Sequence, residues 1–237
     1  MFQVEPNRFL SQIFGIWFLF TMLAVFSAGI LPRILFLPAV ISILGLTYWC
    51  VSCAYRTERF SKFASLRLFT NLAVAPSFAF VMALVTFYKQ LKLEPFISLF
   101  FSAIPVIVAL FIYVVLYGWR SSSSTSPLVV RGDRVEVLDA AQQNRWWLGA
   151  LGAGVGTLIY PLYHAYFKSS ASVLIFLFFV ISLFMLFYHR SNIAALRVLK
   201  ECEARERRSY TFNDVEDIRE KRAKSLFGRM FTARVDR

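Results

Sequence analysis

Long apolar runs separated by short polar clusters dominate the pattern of this chain. Between Phe9 and Ala54 a single charged side chain, Arg33, interrupts the first of these runs. As a helix, its roughly 46 residues would extend about 69 Å, whereas the hydrocarbon core of a bilayer is about 30 Å thick. The run is therefore too long for one membrane span, and it predicts two antiparallel spans that turn at residues 31–33.

The same pattern recurs downstream and predicts an all-α polytopic membrane protein. Each predicted span has a length typical of a membrane-crossing helix. The six spans cover residues 9–31, 34–54, 66–88, 96–119, 147–167 and 171–188, and they pair as three helical hairpins. The first apolar run is longer than that of a signal peptide and a second span follows at once, so we interpret it as a retained helix.

The distribution of positive charge orients these spans. The segments on one side of the six spans contain 22 Lys and Arg residues, whereas those on the other side contain 4. Because cytoplasmic segments of membrane proteins carry the excess of Lys and Arg, both termini are predicted to be cytoplasmic. An even number of spans agrees with this orientation. The short loops favour a bacterial inner (plasma) membrane as the location.

Two polar regions are predicted to lie in the cytoplasm. Residues 120–146 form a loop with a Ser-rich linker at 121–127, followed by two β-prone runs around a turn, which predict a small β-hairpin at 128–138. An isolated hairpin is marginal in water, so it would need support from the tail, the bilayer surface or a partner. Residues 189–237 form a basic tail, predicted to be helical, with a cap at Asn213 and Glu216.

Composition excludes several classes of protein. With 58% apolar residues and a mean hydropathy of +0.58, a water-soluble domain of this size would expose too much apolar surface. A net charge of +12 suggests nucleic acid in a soluble protein, but no reading helix or stacking surface is evident here, so no nucleic-acid partner is expected. The lipid bilayer is the expected partner instead, with anionic lipids at its cytoplasmic face.

Cys50 and Cys53 match the spacing of a metal or redox pair. A zinc site would need two further ligands, for which His189 and Cys202 are the candidates. The simpler interpretation is that both cysteines are small apolar residues in a membrane helix, and we favour it. We therefore expect no metal and no cofactor.

Small residues mark one face of the predicted fifth span. Gly152 and Gly156 form a GxxxG pattern, and Gly149 and Ala153 form a neighbouring pair of small residues. Small side chains let two membrane helices approach closely, so this pattern predicts a helix-packing seam within the bundle or between protomers. A dinucleotide site is excluded, because no strand precedes these glycines.

The predicted spans contain no Asp, Glu, Lys or Arg away from their ends. Ion-coupled transporters usually need such a group, so that class is disfavoured. A path for an uncharged or lipophilic solute remains an alternative. Its candidate lining combines polar side chains with helix-distorting prolines: Asn71, Pro76, Thr157, Tyr160 and Pro161.

The end of the tail predicts an amphipathic helix that mixes apolar and basic residues on one side. The residues concerned are Val215, Ile218, Arg219, Arg222, Leu226, Phe227, Arg229, Met230 and Phe231. Three interpretations stay open: the helix lies on anionic lipids, docks onto a protein partner, or is simply solvated.

No convergent catalytic group is found, so an enzyme is not expected. The leading hypothesis is a non-enzymatic accessory or scaffold protein, which recruits a protein partner through its cytoplasmic loop and tail in an envelope, secretion or transfer apparatus. One alternative is a small transporter or channel for an uncharged or lipophilic solute. A further alternative is a membrane immunity or inhibitor protein.

Overall fold

The computed structural model of the protein describes residue 2 and residues 6–119, 128–137 and 170–225. Seven α-helices and three strands lie in these ranges. The helices are α1 (Phe9–Ile30), α2 (Pro32–Val51), α3 (Phe60–Leu84), α4 (Pro95–Gly118), α5 (Ser170–Tyr188), α6 (Arg190–Glu206) and α7 (Val215–Lys224). The strands are β1 (Leu128–Arg131), β2 (Arg134–Val137) and β3 (Thr211–Phe212).

Four of the described helices are long enough and apolar enough to cross a membrane. They are α1 to α4, of which α2 and α3 are extended by π-helical turns at Ser52–Arg56 and Val85–Gln90. A fifth candidate is formed if α5 and α6 count as one span, although the two are bent by 51° at His189. The described structure is therefore mostly helical, with four to five candidate membrane spans. The predicted fifth span, 147–167, lies outside the described residues.

The predicted third span, 66–88, lies within a longer helix made of α3 and its π-helical extension. α3 begins at Phe60, six residues before Leu66, because Phe60 and Phe63 are fully buried and hold the first turns of the helix in place. Arg67, expected in the headgroup region at the helix end, thus lies inside α3 and is half buried.

The first four helices alternate in direction. α1 and α2 form a hairpin that turns at Leu31, and this turn packs against the end of α3 through Ile30, Val81 and Leu84. α3 lies at the centre of the bundle, where it packs against α1, α4 and α5. Phe78 of α3 stacks on Phe178 of α5 with 5.3 Å between ring centroids.

A three-stranded sheet stands at the end of the bundle where α1 starts. β1 and β2 form an antiparallel hairpin around Gly132, whose φ of +61° suits glycine in a tight turn. β3 from the tail then pairs parallel with β2. The predicted β-hairpin is confirmed, and among the supports considered for it the tail provides one.

Candidate functional site

Most of the polar segments that the structure describes assemble into one unit at the same end of the bundle. We call this unit the platform, and it comprises residues 52–63, 128–137 and 189–224 together with Phe2 and Phe9. A cluster of phenylalanines forms its core: Phe9, Phe60 and Phe63 surround Phe212, with ring centroids 5.6–5.7 Å from that of Phe212. Phe2 packs against Phe60 at 6.4 Å. Burying four segments of chain around Phe212 gives the platform a hydrophobic core of its own.

Backbone hydrogen bonds join the same segments. The Phe60 N–H donates to the Tyr210 carbonyl at 2.9 Å, and the Thr211 N–H donates to the Asp133 carbonyl at 2.9 Å. The chain before β3 is thereby fixed to the start of α3, and β3 is fixed to the hairpin turn. Residues 210–212 therefore tie the tail to both other parts of the platform.

Arg222 on α7 holds the end of α2. Its Nη2 donates to the carbonyls of Cys53 at 3.1 Å and Thr57 at 2.9 Å, and its guanidinium lies 5.4 Å from the ring centroid of Phe9. The side chain is only 7% exposed, and this burial lowers the pKa of Arg222. The carbonyls at a helix C-terminus lack partners and carry partial negative charge, so a cation there stabilises the end of α2.

Glu58 and Arg219 form a two-pronged ion pair beside Arg222. Arg219 donates from Nε and Nη2 to the two carboxylate oxygens of Glu58, both at 2.7 Å. These hydrogen bonds lower the pKa of Glu58 and raise that of Arg219. The pair fixes α7 to the short connection between α2 and α3, with geometry that only a guanidinium supplies.

Arg134 of β2 joins the hairpin to the start of α7. It donates to the Asn213 carbonyl at 3.0 Å and to Glu216 Oε1 at 2.7 Å. The predicted cap at Asn213 and Glu216 is therefore wrong: the N-cap residue is Asp214, it makes no side-chain capping bond, and the carboxylate of Glu216 is engaged by Arg134.

α6 is anchored at several points to the ends of α3 and α4. Glu203 accepts hydrogen bonds from the Ser61 hydroxyl at 2.7 Å and from the Tyr210 N–H at 3.2 Å. Arg197 Nη1 donates to the Tyr117 carbonyl at the end of α4, at 2.6 Å. These bonds draw the polar helix after the 51° bend back onto the bundle.

A second feature is an apolar groove between the two helix hairpins. Its volume is about 390 Å³. Its lining comes from all four helices: Phe20, Leu23, Ala24 and Ser27 of α1, Ser42, Ile43 and Leu46 of α2, Phe69, Ser77, Phe80 and Val81 of α3, and Ala103, Val106 and Ile107 of α4. The Ser27 hydroxyl donates a hydrogen bond to the Leu23 carbonyl at 2.8 Å, so this serine adds little polarity to the groove.

The predicted solute path coincides with this groove only in part. Asn71 is half buried and Pro76 is buried, but the lining includes neither, and it contains Ser77 instead. The remaining residues of that path, Thr157, Tyr160 and Pro161, lie outside the described residues. So do the four residues of the predicted packing seam, Gly149, Gly152, Ala153 and Gly156.

The structure describes only part of the predicted amphipathic helix at the end of the tail. Val215, Ile218 and Arg222 are buried against the protein itself, whereas Arg219 is exposed and pairs with Glu58. The described part of this helix thus uses its apolar side to build the platform. Its other predicted members fall outside the described ranges: Leu226, Phe227, Arg229, Met230 and Phe231.

The cysteines are not gathered into a metal site. Cys50 and Cys53 are buried free thiols in the last turns before Arg56, and Cys202 is a half-buried free thiol on α6. Within the described ranges, no group of three or more His, Cys, Asp or Glu residues is placed to hold a metal ion.

Sequence reasoning missed Phe212 and the role of Arg222. Phe212 follows Tyr210 and Thr211, a β-prone triplet too short to stand out among 26 phenylalanines. Arg222 is one of several cations on a mixed helix, and nothing local distinguishes it from Lys221. Glu58 had a usable signal, because it is the single acidic residue in the cation-rich connection after α2.

Comparison of the chain with protein-family models, with curated proteins and with solved structures gave no match in any of the three.

Proposed function

We propose that the protein is a six-span inner-membrane protein with its platform and both termini in the cytoplasm, acting as a non-enzymatic accessory subunit that recruits a protein partner. The observation that carries this proposal is the asymmetry of the molecule. Four separate segments converge into one packed polar unit at one end of an apolar bundle. At the other end, the described connections are the short turns at residue 31 and residues 91–94.

Chain direction supports the predicted fifth span, 147–167, and with it a total of six spans. α4 ends at the platform, where Arg197 binds the Tyr117 carbonyl, and β1 and β2 also lie there. α5 ends at the platform too, and its 19 residues extend about 28 Å, so it begins near the opposite end. In the proposed topology the chain returns to the opposite end of the bundle between β2 and α5. The apolar run at 147–167 is long enough to make that crossing through lipid.

Cysteine labelling tests the orientation. In a Cys202→Ser background, Arg33→Cys places an exposed thiol at the far end and Lys221→Cys places one on the platform. A membrane-impermeant maleimide is expected to label the first in intact cells and the second only after lysis. Labelling of Lys221→Cys in intact cells would overturn the proposed topology.

Site-specific photo-crosslinking tests recruitment. Val198 on α6 is 49% exposed and Val130 on β1 is 39% exposed, and both are unusual as apolar side chains on a polar unit. A photoreactive residue at either position is expected to give a discrete protein adduct in cells. The same residue at Phe111 of α4, which is 68% exposed on the apolar bundle, serves as the control and is expected to capture lipid only. Absence of an adduct at both platform positions would count against recruitment.

The groove favours a second candidate function, the binding or transport of a lipophilic molecule. Its lining is apolar apart from three serines, and its volume suits a hydrocarbon chain better than a charged solute. The variants Ala103→Leu and Ser77→Leu would fill it. They are expected to reduce binding of a long-chain fluorescent probe, while Val114→Leu, at an exposed position of α4 outside the groove, leaves binding unchanged. Equal binding by all three variants would remove this candidate.

A further inference from the structure

Three exposed cations lie in or beside the short connection between α2 and α3. Arg56 ends the π-helical turn after α2, Arg59 precedes α3, and Lys62 lies in the first turn of α3. In the described structure, their side chains take part in no ion pair and no side-chain hydrogen bond. By contrast, Arg131, Arg134, Arg197 and Arg208 on the hairpin and on the segment around α6 each have a carboxylate partner.

Two of the negative groups at this connection are already neutralised by α7. Glu58 lies between Arg56 and Arg59, but Arg219 holds both of its oxygens. The partial negative charge at the C-terminus of α2 is offset by Arg222, which binds the carbonyls of Cys53 and Thr57. A third negative group, the carboxylate of Glu203 on α6, lies beside Lys62, where the Ser61 hydroxyl and the Tyr210 N–H donate to its two oxygens. In the described structure it forms no ion pair with Arg56, Arg59 or Lys62.

The start of α3 adds to the positive potential. Arg59 is the N-cap residue of α3 and its side chain makes no capping bond. The N-terminal end of a helix carries partial positive charge, which favours an anion nearby. This contribution only reinforces the three side chains, whose full charges dominate.

The position of the connection indicates where such an anion would come from. Three residues, 57–59, separate the helical turns after α2 from α3, and both helices are candidate membrane spans. In the proposed topology these helices end at the cytoplasmic surface of the bilayer, so the cations lie at the depth of the lipid phosphates. The inference rests on that topology.

We propose that Arg56, Arg59 and Lys62 form a binding site for the phosphate of an anionic phospholipid headgroup in the cytoplasmic leaflet. The charges are complementary, and the ligand is held at the right depth by the bilayer itself. α7 is involved indirectly: Arg219 pairs with Glu58 and Arg222 binds the carbonyls of Cys53 and Thr57, so neither of these negative groups competes for the three cations. The lipid would thus bind next to the contact that fixes the platform to the bundle.

Native mass spectrometry of the detergent-purified full-length protein tests the proposal. The protein is titrated with phosphatidylglycerol and, separately, with phosphatidylcholine of the same acyl chains. Phosphatidylglycerol is expected to bind more tightly. Since each basic residue near an anionic surface changes affinity about fivefold, the variant R56Q/R59Q/K62Q is expected to lose roughly a hundredfold in phosphatidylglycerol affinity.

Two matched variants sharpen this experiment. R56K/R59K/K62R keeps all three charges and is expected to retain binding. R33Q/K89Q/K92Q removes three cations from the opposite end and is expected to change the affinity less than twofold. In R56Q/R59Q/K62Q, all three altered side chains are exposed and unpaired in the described structure, so the melting temperature of this variant is expected to stay unchanged. If its melting temperature falls, the three single variants provide the test, each with an expected fivefold loss of phosphatidylglycerol affinity.

Three results would overturn the proposal: an unchanged affinity in R56Q/R59Q/K62Q, an equal loss in R33Q/K89Q/K92Q, or equal binding of phosphatidylcholine. Displacement of the lipid by millimolar glycerol phosphate would also overturn it, since the site would then recognise soluble phosphate. Cysteine labelling at positions 33 and 221 tests the topology separately from the lipid site. If the labelling supports the topology and lipid binding fails, only the lipid site is wrong.

Discussion

The two ends of the helical bundle are built on different principles. At the end near Leu31, the α1–α2 turn packs on α3 through apolar contacts whose buried members are all aliphatic, with Phe80 and Tyr88 at the edge. At the platform end, aromatic packing, a sheet, buried hydrogen bonds and ion pairs hold four chain segments together. The same set of helices therefore has one end that merely reverses the chain and one end that gathers its polar residues.

This difference shows where specificity resides. Apolar helix faces can exchange neighbours, or lipid for neighbours, at little cost, since lipid is as apolar as the side chains. Buried polar contacts and an aromatic core permit far fewer arrangements, because each unpaired group would be penalised. The platform therefore fixes which helix ends come together.

Removing the central aromatic side chain of the platform is expected to have the largest effect. Phe212 is 3% exposed and touches three other phenylalanines, so Phe212→Ala should destabilise the platform by about 3–5 kcal/mol. Hydrogen exchange of residues 128–137 and 210–224 measures this. Phe111→Ala, at an exposed position of α4, is the control. Comparable exchange in both variants would mean that the platform has no core of its own.

Arg222→Met is expected to come next, at about 2–3 kcal/mol, because it leaves the carbonyls of Cys53 and Thr57 without their buried cationic partner. The neighbouring variant Lys221→Met, at an exposed position, is the matched control and should have no measurable effect. Thermal unfolding in detergent, with hydrogen exchange at residues 50–57, reports the difference. If the two variants behave alike, Arg222 does not hold α2.

Inside the bundle, a single hydrogen-bond deletion is expected to cost less. Trp17 Nε1 donates to Thr47 Oγ1 at 2.8 Å and links α1 with α2. Trp17→Phe should lower stability by about 0.6 kcal/mol, since Thr47 keeps its own bond to the Ile43 carbonyl. Steric trapping of the detergent-solubilised protein measures the free energy of unfolding. A loss as large as that of Arg222→Met would contradict the contrast between the two regions.

The smallest effect is expected from the exposed pair of Glu58 and Arg219. Arg219 lowers the pKa of Glu58 in the folded protein. The resulting stabilisation is present above the ordinary carboxyl pKa of about 4.5, and it is lost as pH falls through the lower folded value. The melting temperature of the wild type should therefore approach that of Glu58→Gln below pH 4.5. A difference in melting temperature between the two proteins that increases as the pH falls would contradict the stabilising ion pair.

The individual elements could be predicted where one local signal sufficed. The turn at residues 31–33 follows from a run too long for one span, and the hairpin follows from Gly132 and Asp133 between β-prone runs. The early start of α3 could not be predicted, because Phe60 and Phe63 are stabilised by Phe212, some 150 residues away in the chain. The bend at His189 likewise follows from the attachment of α6 to α3 and α4 rather than from a proline.

By itself, the sequence determined that apolar helices dominate this protein and that its charges concentrate between particular helices, because hydropathy and charge are properties of each residue. The tertiary structure alone decided that Phe212 completes an aromatic core and that Glu216 binds Arg134 instead of capping α7. It also decided that Arg222 occupies the end of α2. The physical reason is that a polar or aromatic side chain takes the partner that folding brings within reach, and its position in the chain does not specify that partner.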